Sequence, residues 1–107
     1  MSEYAAVFKL GWLVQCFEGD EPREIIEEVE KVQDFECLLE MGRMNERGIG
    51  QIELDKLAVF LEKYHDDTLT MEDIKNFDIT LSVGSLSCLG VAETESEIKA
   101  LKAQYAK

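Results

Sequence analysis

Base is scarce in this chain. Eleven Lys and Arg stand against 23 Asp and Glu in 107 residues, a formal net charge of −12. Affinity for a phosphate backbone comes from cationic side chains displacing counterions, so direct binding to nucleic acid is disfavoured. An anionic membrane surface is disfavoured for the same reason. No apolar run approaches the ~18–20 residues that span a bilayer. The opening stretch MSEYAAVFKLGWLVQCF carries Glu3 where an export signal has basic residues. Lys9 interrupts its apolar run and no small-residue cleavage site follows, so it does not read as a signal peptide.

Histidine, proline and tryptophan occur once each, and cysteine three times. Cys16, Cys37 and Cys88 are odd in number and widely spaced. Together with the missing export signal, this points to reduced thiols in a cytoplasmic protein. With His65 alone there is no C-x-x-C and no H-x-x-x-H, so neither a zinc site nor any other cofactor is expected. Cys88 with His65 is the only imaginable nucleophile pair, and nothing in their spacing supports it. GSLSCLG lacks the glycine placement of a nucleophile elbow. MNERGIGQIELD resembles a calcium loop only superficially, because Arg47, Ile49 and Lys56 fall where oxygen ligands belong. Residues 62–73 fail for want of the glycine. His65 reads as a residue at a helix C-terminus beside Asp66 and Asp67. No acid/base, nucleophile or metal set converges, so the chain is expected not to be an enzyme.

What is present is apolar residue at 46% of the chain, enough for a folded protein and too much for a disordered acidic tail. The length gives one acidic helical domain over 1–107, with no room for a second core. Segment 3–17 is apolar nearly all round a helical wheel. Ser2 is placed to cap it and Gly19 to end it, which predicts a central core helix or an interface helix. Segment 20–41 opens with Asp20 as N-cap and Pro22 in the first turn. Ile25, Val29, Val32 and Leu39 then recur at helical spacing, and Gly42 marks the end. Residues 42–50 (GRMNERGIG) read as a loop. QIELDKLAVFLEKYH over 51–65 is an amphipathic helix with Leu54, Leu57, Ala58, Leu61 and Tyr64 on one face. Thr70 and Asp73 form a capping box for a short helix, with Ile74 and Phe77 as its buried contacts. In 79–91 alternating apolar residues around Gly84-Ser85 predict a β-hairpin, the rival being a small-residue-rich helix or coil packed on the first helix. Thr94 with Glu97 caps a final surface helix whose stripe is Ile98, Leu101 and Tyr105. The expected fold is mainly α: a compact bundle of about four helices with a small hairpin near residues 79–91.

Residues 18–40 hold ten acids and two bases. Glu24, Glu27, Glu28, Glu30 and Asp34 stand at i, i+3 and i+4 spacings, each like-charge pair costing a helix tenths of a kcal/mol. Two readings compete. One is a solubilising face. The other is a docking face for a basic protein partner, a nuclease or a nucleoprotein complex, with those five acids as contacts and Glu18 and Asp20 beside them. On the second reading the chain is a non-enzymatic, stoichiometric inhibitor whose carboxylates imitate a phosphate track. Nuclease immunity proteins and phage inhibitors of restriction or CRISPR machinery share this size and composition, an analogy that transfers no residue. The alternative is an oligomerising structural or regulatory subunit, a homodimer joined through the apolar segment 3–17.

Overall fold

A computed structural model describes residues 2–44, 48–82 and 84–105. In chain order it holds strands β1 (Tyr4–Leu10) and β2 (Leu13–Gly19), then helices α1 (Pro22–Glu30), α2 (Phe35–Arg43), α3 (Gln51–His65) and α4 (Met71–Lys75). Strands β3 (Asp78–Leu81) and β4 (Gly84–Ala92) and helix α5 (Glu95–Tyr105) complete it. The strands form one antiparallel sheet in the order β2-β1-β4-β3. The fold is therefore α+β, with 49% of the described residues helical and 27% in strands, and the mainly α bundle is overturned.

The largest correction concerns segment 3–17. It is a β-hairpin, closed by Leu10 opposite Leu13 across Gly11 and Trp12. Gly11 has φ +68, the left-handed value that a two-residue turn with glycine first requires. The segment's first strand shows no polar face because residues 5–8 are covered on both sides, while the turn end leaves Trp12, Leu13 and Val14 exposed. Ala6, Phe8 and Phe17 enter the main core under α1–α4. Ala5 and Val7 point the other way, under Ile98 and Leu101 of α5. Strand β4 changes faces midway. Val7 pairs with Gly90 but Phe8 with Cys88, so Leu89 is an extra, bulged residue. Leu86 and Cys88 thus face the main core, while Ala92 faces α5.

The predicted helix over 20–41 is two helices. Lys31–Asp34 break it, and α2 runs on through Gly42 to Arg43. Gly42 lies where α2 approaches α3 closely: a Cβ there would press on the side-chain ends of Leu54 and Ile49, which would have to shift. The hairpin in 79–91 exists, but its turn precedes the predicted one. Leu81 closes on Gly84, so Ile79 faces Leu86. Val83, and residues 45–47 of the predicted 42–50 loop, lie outside the described residues.

Three helices form as predicted. α3 spans 51–65, with Leu54, Leu57, Leu61 and Tyr64 buried. α4 carries the full Thr70/Asp73 capping box. Glu97 N–H donates to Thr94 Oγ1 at 3.2 Å at the start of α5, and Glu93 N–H donates to Glu97 Oε1 at 2.9 Å. The main core centres on Phe77, whose ring lies 4.7 Å from Phe60, 5.1 Å from Phe35 and 5.7 Å from Phe8. No helix among the described residues is long and apolar enough to cross a membrane.

Candidate functional site

The acidic surface is assembled by β2, the link after it and the outer face of α1. Ile25, Ile26 and Val29 bury one face of α1, which forces Glu24, Glu27 and Glu28 outward. Strand β2 ends beside that face. Glu18, Asp20, Glu24, Glu27 and Glu28 consequently line one shallow depression of about 270 Å³, together with Ser2, Gly19 and Lys31. Asp20 N–H donates to Glu24 Oε1 at 2.7 Å, and Glu3 N–H donates to Asp20 Oδ1 at 3.3 Å. These bonds fix two carboxylates relative to each other.

Neutralisation of this surface is partial. Arg23 Nε meets Glu27 at 3.2 Å, Lys31 Nζ meets Glu28 at 2.6 Å, and Lys102 Nζ meets Glu18 at 2.8 Å. Glu28 holds the Lys31 ammonium above its ordinary pKa, and Glu18 does the same for Lys102. All three pairs are solvent-exposed, where such contacts contribute little to stability.

The break between α1 and α2 divides the five predicted contacts. Glu24, Glu27 and Glu28 share the surface. Glu30 and Asp34 turn to the α2 N-terminus instead. Asp34 Oδ1 accepts from Cys37 N–H at 3.0 Å as the N-cap, and Glu30 Oε2 accepts from Phe35 N–H at 2.8 Å. Burial raises the pKa of Glu30. The Phe35 N–H opposes that rise, and the nearby charges of Asp34 and Glu36 add to it. Two of the five are thus engaged in capping, which no periodicity argument shows, because periodicity assumes one unbroken helix.

The other sequence candidates disperse. His65 Nε2 contacts Glu36 Oε1, joining α3 to α2. Cys88 lies in the sheet, where burial pushes its thiol up to about 11 and Sγ donates to Gly90 O at 3.4 Å. A thiol so placed is held protonated at neutral pH. Cys37 is exposed, with Sγ 3.6 Å from Met41 Sδ. Among the described residues no three His, Cys, Asp or Glu side chains converge so as to hold a metal ion.

Sequence reasoning missed a second concavity, of about 520 Å³, between α3, α4 and β3. Phe60, Phe77 and Ile79 lie along its floor and the exposed Ile52 and Val59 along its edge. Its lining includes charges of both signs, and Lys63 Nζ meets Asp73 Oδ1 at 2.9 Å. No family model, curated protein or solved structure matches the chain.

Proposed function

We propose that this chain is a non-enzymatic acidic binding protein that inhibits a basic, nucleic-acid-handling protein. It would set the carboxylates of Glu24, Glu27 and Glu28, with Glu18 and Asp20, against the partner's phosphate-binding surface. The observation that carries this reading is the convergence of acids from β2, the following link and α1 on one surface. A purely solubilising charge would have no need of such a focus, and a focused field raises association rates and selects cationic partners. Glu30 and Asp34 leave the contact set because both serve the start of α2. A cytosolic setting, where the three thiols stay free, belongs to the same proposal. The alternative of self-association through an apolar N-terminal helix loses its element, since residues 4–19 form strands and a turn.

The test is inhibition of purified basic nucleases and nucleoprotein complexes, titrated with the chain and with a Glu27→Lys/Glu28→Lys variant. Stoichiometric inhibition by the first and none by the second supports the reading. Equal inhibition by both overturns it.

A further inference from the structure

The two edges of the sheet are treated differently. At β3 two of the outward groups are occupied: Thr80 N–H donates to Glu53 Oε2 at 2.7 Å, and Lys56 Nζ lies 3.5 Å from Asp78 O. Helix α3 thereby covers part of that edge. Strand β2 has no such cover. In a hairpin with a two-residue turn the closing pair exchanges hydrogen bonds, and alternate residues beyond it point their N–H and C=O away from the partner. The β3–β4 hairpin obeys this rule: Leu81 closes on Gly84, and Thr80 points outward to Glu53. In the β1–β2 hairpin Leu10 closes on Leu13, so Val14, Cys16 and Glu18 point outward. Among the described residues no hydrogen bond reaches the backbone of these three from beyond the hairpin.

A groove of about 360 Å³ runs beside this open edge, bounded by Gln15, Phe17 and Glu18 on the strand and by Glu28, Lys31 and Val32 on α1. Lysines commonly blunt an edge strand. Here Lys31 and Lys102 are each tied to a carboxylate, of Glu28 and Glu18 respectively. The edge is also polarised along its length. Its turn end exposes Trp12, Leu13 and Val14, and its far end meets Asp20, Glu24 and Glu27.

We infer that β2 takes up an extended segment of the basic partner as a fifth strand, antiparallel to it. The segment would carry Lys or Arg toward its N-terminus, against the acidic end, and apolar residues toward its C-terminus, against Trp12 and Val14. Strand addition supplies main-chain hydrogen bonds, and alternate side chains supply selectivity. A second copy of the chain fits poorly. A two-fold pairing about Cys16 sets each apolar turn end against the other copy's Glu18 and Gly19, and it joins two bodies of net charge −12. The inference rests on the acidic-face reading and names what that face receives.

The probe is a synthetic peptide as long as β2, with alternating Arg and Thr followed by alternating Val and Ile. It is added to the full chain at low salt. On binding, the amides of Val14, Cys16 and Glu18 should gain protection from hydrogen exchange while that of Gln15 changes little, and Trp12 emission should shift to the blue. N-methylation of the peptide amides that face β2 should weaken binding about tenfold or more. Methylation of the alternate amides should leave it unchanged, and the reversed sequence should bind about tenfold more weakly. Binding that the Glu27→Lys/Glu28→Lys variant abolishes but that neither methylation affects overturns strand addition and spares the acidic face. Binding that methylation weakens but charge reversal does not overturns the acidic-face reading. No binding, or protection that grows with protein concentration without peptide, overturns the inference.

Discussion

The backbone N–H of Thr80 on strand β3 donates to the carboxylate of Glu53 on helix α3 at 2.7 Å, across 27 residues of sequence. Lys56 stands one turn further along α3 and pairs with the same carboxylate at 3.2 Å. Side chains of α3 therefore occupy part of the β3 edge, while no hydrogen bond from beyond the hairpin reaches the outward backbone of β2 among the described residues.

Glu53 consequently gives the fold an acid-sensitive element. The Thr80 N–H holds its carboxyl below the ordinary 4.5; burial opposes this, and Lys56 adds to the lowering. Because the folded pKa is depressed, this stabilisation is present above the unfolded value and is lost as pH falls through the folded value. Glu53→Gln keeps an acceptor but removes the charge. It should cost about 0.5–1 kcal/mol at pH 7, the lower part of the range for a charge-assisted bond because solvent reaches the site. The difference from the unmodified chain should vanish in urea unfolding well below pH 4.5. A difference that persists there would mean that Glu53 acts by packing alone.

Asp34 and Glu27 are both exposed acids near the same helix break, yet they should respond differently to substitution. Asp34→Ala removes the side chain that accepts from Cys37 N–H and should cost about 1 kcal/mol of stability. Partner binding should be unchanged. Glu27→Lys breaks only the exposed pair with Arg23, so its stability change should stay within about 0.5 kcal/mol while partner binding weakens. Chemical denaturation and a binding isotherm on each variant separate the two roles.

Phe77 joins the helical layer to the sheet through contacts with Phe60, Phe35 and Phe8. Phe77→Ala should cost about 3–5 kcal/mol. In a protein of this size that is a large part of the total stability. Near-ultraviolet circular dichroism should lose its aromatic signal at a much lower temperature. Trp12, fully exposed at the hairpin turn, should tolerate Trp12→Asp with almost no change in melting.

Elements with one wet face were legible. α3 sets Leu57 and Leu61 inward and Asp55 and Glu62 outward, and α4 begins with a capping box that is local in sequence. The N-terminal hairpin was not legible, because Ala5 and Ala6 point to opposite faces of a sheet buried on both sides. Such strands lose the alternation that marks a strand and resemble a buried helix. The bulge at Leu89 likewise breaks the alternation of β4. Ile25, Ile26 and Val29 gave the buried face of α1 from their spacing, and with it Glu24, Glu27 and Glu28. Periodicity sets Glu30 and Asp34 on the same face, whereas the helix break, which periodicity does not show, places them at the start of α2. Glu18 joins the surface through the end of β2, a juxtaposition made by tertiary structure.

On the proposed function, the acidic surface of Glu24, Glu27 and Glu28 binds a cationic partner. The most direct measurement is the partner's dissociation constant over a series of salt concentrations, for the unmodified chain and for Glu27→Lys/Glu28→Lys. The expected result is an affinity that falls steeply with ionic strength for the unmodified chain and a weak, nearly flat dependence for the variant, with equal melting temperatures. Equal affinities with the same salt dependence would contradict the claim and leave these carboxylates with solubility alone.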